Sequence, residues 1–296
     1  MIRIIRTRLT ICFYVNSATG NDSNNGLTPE TAFKTIQACV DYITENYNLG
    51  SYSATIVLAD GEYGSSEEYS TLSLKSYSGS APIIITGNAT DYSKVVINHH
   101  VELGSSVEYQ LRNLTIRTVI ASTNLTNYGL LYISSGTVYG YNICFDITKV
   151  ENSANNSIRY IVQVQNYGLF RVYASNSPSL KSGIYIKANE GQEYKANLFI
   201  LNSGKLLFTA DITFLSSLNN PNGTFLNASE LSTASFGNSV FPDPGRPCLV
   251  TVPSGKSVTG KRYSVNFNSI CNVTNRGAEF FPGSIAGTTS NGGQYS

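Results

Sequence analysis

The sequence predicts an all-β protein in which short strands stack as a solenoid, and three observations predict it. Only 13% of the 296 residues are charged, compared with roughly 25% in an ordinary globular domain. After Tyr52 the chain is a series of short alternating or β-branched runs that Gly, Asn and Ser interrupt, a pattern typical of strands and turns. These runs also recur at a spacing of about 30 residues, the range of repeat lengths found in solenoids.

The repeat is visible when five strand-like segments are aligned, because their apolar positions and turn residues then coincide approximately. A repeat of short strands and turns cannot bury its apolar face alone, so each coil must cover the next. The aligned segments are Val107–Thr118, Thr137–Thr148, Leu169–Leu180, Leu206–Ser217 and Leu231–Phe241.

A polar residue recurs inside three of these segments, each time followed by an apolar residue: Asn113, Asn142 and Asp211. Ala174 and Ser175 fall at the coil that this series skips. Asn and Asp tolerate left-handed backbone geometry and bond neighbouring backbone groups. We therefore expect a structural ladder at the turns between strands, although a lone Asp in a β protein also permits a catalytic reading of Asp211.

Helical periodicity occurs once, near the N-terminus. From Pro29 to about Tyr47 the apolar residues follow one helical face, with Thr28 as N-cap and Pro29 in the first turn. A solenoid of strands has open ends with unpaired backbone groups. We expect this amphipathic helix to cover one of those ends.

Charge and cysteine content narrow the classes of partner and cofactor. The formal net charge is +1, which gives no field that would attract nucleic acid or anionic lipid. The apolar runs fall short of the roughly 20 residues that span a bilayer. The five cysteines lack the spacing of a zinc site, so we expect buried thiols in a reducing compartment and no cofactor or metal.

The first residues permit two interpretations. Arg3, Arg6 and Arg8 precede the apolar run Leu9–Val15, the order of a signal peptide, but that run is short and no small-residue cleavage site follows it before Asn16. We expect a first strand here, with a signal peptide as the alternative.

The run Phe13–Ala38, followed by Thr55–Tyr63, resembles the N-terminal entry of the right-handed parallel β-helix (pectin-lyase-like) superfamily. The resemblance implies a single-stranded right-handed parallel β-helix with an N-terminal capping α-helix and a short C-terminal β/loop element. The organisation we expect is an entry strand, turn and capping helix at 1–51, the β-helix at 52–241, and a C-terminal cap or oligomerisation segment at 242–296.

The tail Phe281–Ser296 resembles the ending of many phage and prophage tail-fibre or tailspike-like β-helix proteins. This resemblance implies a virion-tail protein, assembled in the bacterial cytoplasm, that binds a bacterial surface polysaccharide. We also expect a homotrimer with its β-helices side by side, because tailspike-like β-helices are commonly threefold. The segment from about Pro253 to Ser296 is rich in Gly and Ser and buries little by itself, so we expect it to make contacts between subunits; a cap that folds back on its own solenoid is the alternative. A secreted adhesin would require a real signal peptide.

An enzyme on the same scaffold, a polysaccharide lyase or glycoside hydrolase, is the alternative function. The clustered Asp ligands and the paired Asp near Gly-His that such enzymes carry are absent from this sequence. Three acidic pairs could bring two carboxylates within glycosidase range, and the Glu190 pair, in a Gly-containing loop, is the weak catalytic candidate. These pairs are Asp60/Glu62, Glu67/Glu68 and Glu190/Glu193.

Two further motifs have a structural interpretation. His99 and His100 are adjacent, so on one strand they would face opposite sides, and we expect surface or turn histidines. The run Asn21–Gly26 resembles a calcium loop in composition, but Ser23 and Ala32 stand where ligands are required.

The 20 tyrosines, alongside abundant Asn, Ser and Gly, are typical of recognition surfaces but also of strands in general.

Overall fold

The computed structural model describes residues 10–65, 69–117, 129–150, 158–173, 182–237 and 248–296. It has one α-helix, α1 (Ile36–Asn46), and two short 3-10 turns, Pro29–Thr31 and Tyr92–Lys94, within these ranges. The strands are β1 (Ile11–Val15), β2 (Asn48–Gly50), β3 (Ala54–Leu58), β4 (Gly61–Tyr63), β5 (Thr71–Leu74), β6 (Ser78–Gly79), β7 (Ile83–Thr86), β8 (Val95–Ile97), β9 (His100–Leu103), β10 (Glu108–Arg117), β11 (Gly129–Ile133), β12 (Thr137–Asp146), β13 (Tyr160–Gln165), β14 (Leu169–Val172), β15 (Ile184–Lys187), β16 (Asn197–Asn202), β17 (Lys205–Phe208), β18 (Ile212–Phe214), β19 (Thr224–Ser229), β20 (Thr233–Phe236), β21 (Val250–Thr251), β22 (Lys261–Val265), β23 (Ile270–Asn272), β24 (Thr288–Thr289) and β25 (Gln294–Tyr295).

Most of the strands form long parallel sheets that divide into three stacks, whereas β2 and β6 pair only with each other. Stack I runs β1-β3-β7-β10-β12-β14-β17-β20-β23-β25. Stack II runs β4-β8, then the second halves of β10 and β12, then β15-β18-β21. Stack III runs β5-β9-β11-β13-β16-β19-β22-β24. Along most of its length the chain visits stacks I, II and III in turn before it pairs with itself again, so this all-β arrangement is compatible with a parallel β-helix.

Strand register aligns the predicted repeats. Thr137 pairs with Glu108 on one side and with Leu169 on the other, and the same row continues through Lys205 to Thr233. Side chains alternate along each strand, so one face of every stack points inward. The inward residues form a single hydrophobic core, which is rich in Ile, Val, Leu and Phe.

The helix is shorter than the sequence predicts. Pro29–Thr31 is a separate turn, which Thr28 and Thr31 close through a reciprocal capping box, and Ala32 then returns to extended geometry. Helix α1 begins at Ile36 with Thr35 as its N-cap. The prediction of one helix from Pro29 is therefore wrong, because two capping signals lie seven residues apart and each starts its own turn.

The strands near the two predicted domain boundaries join the same sheets. In the N-terminal segment, β1 pairs with β3 along its whole length. After residue 250, β22 pairs with β19 and β23 pairs with β20. The expected boundary at 241–242 itself lies outside the described residues.

Candidate binding surface

The corner between stacks I and II is built on asparagine. Asn113 and Asn142 have φ values of 55° and 54°, a left-handed conformation that Asn tolerates better than other non-Gly residues. Both side chains are buried. Asn142 Nδ2 donates a hydrogen bond of 2.9 Å to Asn113 Oδ1 on the adjacent coil. This corner lets β10 and β12 each pass from stack I to stack II without a break.

Strand register extends the corner to later coils. Because Ile143 pairs with Ile184 and Ile184 with Ile212, Gly183 and Asp211 follow Asn142 in the same column. Gly183, with φ 117°, therefore occupies the skipped coil, while Ala174 and Ser175 lie outside the described residues. Asp211 is half-buried, and its Oδ1 accepts a hydrogen bond of 3.1 Å from the backbone N–H of Leu249.

Next to this corner, the outer face of stack I carries a cluster of tyrosine and arginine side chains. Their inward neighbours in β10, β12 and β14 belong to the core, so the alternation of each strand turns this set to the surface. We call the set the tyrosine–arginine patch. It consists of Gln110, Arg112, Tyr139, Tyr141, Arg171 and Tyr173.

The rings and guanidinium groups of the tyrosine–arginine patch are layered. The Tyr139 and Tyr173 rings lie 5.6 Å apart at an interplanar angle of 3°, and Tyr141 lies 6.0 Å from Tyr173. Arg171 Cζ is 4.0 Å from the centre of the Tyr173 ring, and Arg112 Cζ is 5.0 Å from that of Tyr141. These cation–π contacts hold the long side chains against the sheet.

Hydrogen bonds also orient the polar members of the patch. Arg112 Nη2 donates to Gln110 Oε1, and Gln110 Nε2 donates to Glu108 Oε1 at 3.2 Å. Burial lowers the pKa of the Arg112 guanidinium and raises the pKa of Tyr141. Arg112 forms no ion pair with any residue that the structure describes, and its Nε lacks a hydrogen-bond partner there. The patch therefore keeps a partly desolvated cation, which still has donor capacity, beside aromatic ring faces.

Such a surface is suited to a ligand with alternating apolar and hydroxyl-rich features. Aromatic faces pack against C–H groups, whereas guanidinium and amide groups donate hydrogen bonds to oxygen. Tyrosine supplies this contact area with few rotatable bonds, so little conformational entropy is lost on binding. The abundance of Tyr is evident from sequence, but selecting Tyr139 and Tyr141 would have required the inward-outward alternation of Thr137–Asn142.

The weak catalytic candidates contact different partners. The Glu190 carboxylate accepts a hydrogen bond from Lys256 Nζ and one of 3.4 Å from the Ser217 N–H, and this lysine lowers the pKa of Glu190. Glu193 accepts a hydrogen bond of 3.3 Å from Asn222 Nδ2. A carboxyl group with a lowered pKa stays ionised at neutral pH, so Glu190 is poorly suited to act as a general acid.

The other acidic pairs engage nearby cations and amides. Asp60 lies 3.9 Å from Lys94 Nζ, and Glu62 lies 3.3 Å from Arg117 Nη1. Arg117 and Lys187 in turn flank the buried Asp146 at 3.6 Å each. Glu67 and Glu68 lie outside the described residues.

His99 precedes β9 and His100 is the first residue of that strand. The expectation of a surface or turn position is wrong for His100. Its side chain is only 5% exposed, and Nδ1 lies 2.9 Å from the carbonyl oxygen of Gly129. The Tyr69 ring stacks on it with a centroid distance of 6.0 Å. His99 Nδ1 instead lies 2.7 Å from Ser70 Oγ. Burial lowers the pKa of both groups.

Side-chain oxygens of the Asn21–Gly26 loop bond to protein donors. Asp22 Oδ1 accepts hydrogen bonds of 2.8 Å from the backbone N–H groups of Lys34 and Thr35. Asn21 Oδ1 and Asn25 Oδ1 accept similar bonds within the loop. Among the described residues there is no cluster of three His, Cys, Asp or Glu side chains that could hold a metal ion.

Four of the five cysteines are buried thiols, but Cys12 is exposed. The expectation of five buried thiols is wrong at this position because Phe13 and Val15 take the inward positions of β1.

Within the described ranges, no helix is long and apolar enough to cross a membrane.

Comparison with known proteins adds no family. No protein-family model matches the chain, and a search of curated proteins finds no match either.

Proposed function

We propose that the chain is a phage or prophage tail-fibre or tailspike-like protein, a right-handed parallel β-helix of the pectin-lyase-like type that binds a bacterial cell-surface glycan. The observation that carries this proposal is the tyrosine–arginine patch on the outer face of stack I. The right hand of the coil follows the strong preference of parallel crossover connections. The resemblance of the N-terminal run and of the tail supports the choice of superfamily and of a virion-tail location.

In this proposal the glycan lies along stack I, with sugar rings against Tyr139 and Tyr173. The guanidinium groups of Arg112 and Arg171 then donate hydrogen bonds to hydroxyl or carboxylate oxygens. The patch spans three successive coils through β10, β12 and β14. At roughly 4.8 Å per coil, this extent suits a short oligosaccharide stretch.

A panel of bacterial capsules and lipopolysaccharides tests the proposal. The purified chain is incubated with each glycan, and retention is scored together with released oligosaccharide. We expect at least one glycan to be retained, and Tyr173→Ala to weaken that binding about tenfold or more, because the ring contacts Tyr139, Tyr141 and Arg171.

The matched control is Tyr52→Ala, which removes an exposed tyrosine outside the patch and should leave binding unchanged. Thermal unfolding of both variants checks that they remain folded. Equal binding by wild type and Tyr173→Ala would contradict the assignment of the patch. Release of oligosaccharide would favour the alternative, a polysaccharide lyase or glycoside hydrolase on the same scaffold.

The proposal includes a homotrimer with its β-helices side by side, to which the segment from about Pro253 contributes. It also places the protein in the virion tail after assembly in the bacterial cytoplasm. The resemblance to tailspike-like proteins supports both points, and no cofactor, nucleic acid or membrane enters the proposal.

A further inference from the structure

Three large apolar side chains are exposed at the turns between stacks III and I. Tyr167 is 79% exposed, Leu231 70% and Phe267 56%. Their φ values are 67°, 60° and 52°, a left-handed region that bulky side chains rarely adopt. Each residue therefore combines backbone strain with exposed apolar area, and such outliers often mark a functional surface.

The three residues form one line along the molecule. By strand register, Tyr167 and Leu231 hold the same turn position two coils apart, and Phe267 follows one coil later at the preceding position. Backbone hydrogen bonds join the turns: Tyr167 N–H donates to Ser203 O at 2.7 Å, and Leu231 N–H donates to Phe267 O at 3.0 Å. We call this line the apolar ridge. On the coil between Tyr167 and Leu231, the small residue Ser203 occupies the line.

We propose that the apolar ridge is the surface through which copies of this chain associate side by side, with their long axes parallel. The inference gives a location to the self-assembly included in the proposed function and does not depend on glycan binding. Its occupant is a second copy of this chain.

The spacing of the apolar ridge favours a second copy. Its side chains recur at multiples of the coil spacing of roughly 4.8 Å, so a surface that meets all of them must share that spacing. A parallel copy does so, and it places apolar residues at the same height as Tyr167, Leu231 and Phe267 and a small residue at the height of Ser203.

Charge on the two sides of the ridge favours the same occupant. Exposed Glu230 lies on the stack III side and exposed Lys205 at the start of β17 on the stack I side. Within the described part of the chain neither has an ion-pair partner. Rotation about a parallel axis brings the stack III side of one copy towards the stack I side of the next. Lys205 lies one coil before Glu230, so these residues of neighbouring copies differ in height by roughly 4.8 Å. Their long side chains can span that offset and attract each other.

The apolar area is also appropriate for self-association. A large aromatic side chain contributes roughly 150–250 Å² when it is buried, and Ile270, which is 44% exposed, adjoins the turn that carries Phe267. These residues supply a substantial part of the roughly 800 Å² per partner of a standard interface.

The first test replaces Tyr167, Leu231 and Phe267 together with Asn, which tolerates positive φ and removes the apolar surface. Sedimentation equilibrium measures the association of wild type and variant. We expect the wild type to associate and the triple variant to dissociate about a hundredfold more readily or to be monomeric. Because Asn relieves the strain, the variant should remain folded by circular dichroism.

Leu27→Asn is the matched control, since Leu27 is an exposed leucine, 45% exposed, on the N-terminal segment; it should leave association unchanged. A charge swap adds a second readout. Lys205→Glu alone should weaken association, and Lys205→Glu combined with Glu230→Lys should restore it.

A monomeric wild type at tens of micromolar (on the order of common interface affinities), or a triple variant that associates as the wild type does, would overturn the inference. The second result would also direct attention to a glycan or another protein as the occupant of the ridge. Glycan retention by the triple variant separates the two proposals, because the tyrosine–arginine patch is unchanged in it.

Discussion

At the residue scale, the recurrence of Asn113 and Asn142 carried real structural information. Both positions require a positive φ at the corner between stacks I and II, and Asn is among the few non-Gly residues that tolerate it. The sequence pattern could therefore locate the corner. It could not locate Gly183 at the next coil, because a change from Asn to Gly and a longer connection conceal the register there.

Substitution of Asn142 separates the two contributions of this residue. Asn142→Ala should lower the free energy of unfolding by about 2–3 kcal/mol, through the strain of positive φ and the lost bond to Asn113. Asn142→Gly loses the bond but permits the backbone conformation, so we expect a loss of about 1 kcal/mol. Urea denaturation measures both, and equal losses would show that backbone strain contributes nothing.

The burial of His100 could not be predicted from its neighbours in sequence. Its burial follows from packing by Tyr69 and Tyr160, which lie far from it in sequence. An isolated histidine pair has no pattern from which such a contact could be inferred. The same limit applies to Tyr173, whose place in the tyrosine–arginine patch depends on strand register rather than on its neighbours in sequence.

At the scale of elements, the N-terminal segment illustrates how capping overrides periodicity. The apolar spacing predicts the buried face of α1 at Ile36, Val40 and Ile43, which Cys39 joins. The predicted start at Pro29 is wrong because Thr28 and Thr35 cap separate turns. Asp22, from the preceding loop, accepts hydrogen bonds from the backbone N–H groups of Lys34 and Thr35. A carboxylate 12 residues away in sequence thus orients the residues immediately before α1.

Removal of the Asp22 carboxylate should weaken the cap. Asp22→Ala deletes three hydrogen bonds, two from backbone N–H groups and one of 3.0 Å from Thr35 Oγ1. Because an ionised acceptor strengthens such bonds, we expect the free energy of unfolding to fall by about 2–3 kcal/mol.

Asp22→Asn is the matched control, since its amide oxygen can still accept from the two backbone N–H groups. It should cost less than the alanine variant. Chemical denaturation followed by circular dichroism measures both variants. Equal stability of Asp22→Ala and wild type would show that Thr35 alone is sufficient to cap α1.

At the scale of the whole molecule, stacking explains why a repeat of unequal length still predicts the architecture. Leu111 pairs with Gly140, 29 residues later, whereas Gly140 pairs with Val172, 32 residues later. The stacked strands keep their register, and connections between them absorb the variation in length. The repeat therefore predicted stacked parallel strands, but not the register of every coil or the surface that each turn presents.

Stacking also predicts which parts of the core a cavity-forming substitution destabilises. Phe208 is fully buried in stack I, where its ring lies 6.1 Å from Phe170 and 5.2 Å from Phe236 on the adjacent coils. Phe199 of stack III lies 5.5 Å away. Phe208→Ala removes these contacts and leaves a cavity, so we expect the free energy of unfolding to fall by about 3–5 kcal/mol.

Each coil of a solenoid contacts mainly its immediate neighbours, so the effect of Phe208→Ala should be local as well as large. Amide hydrogen exchange should accelerate most in β14, β17 and β20 and least in β1 and β3. Phe208→Leu, which keeps most of the side-chain volume, should cost less than half as much and show the same order of strands. Uniform acceleration along the whole chain would instead indicate that the coils unfold as one unit, because a defect in one coil would then be shared equally by all of them.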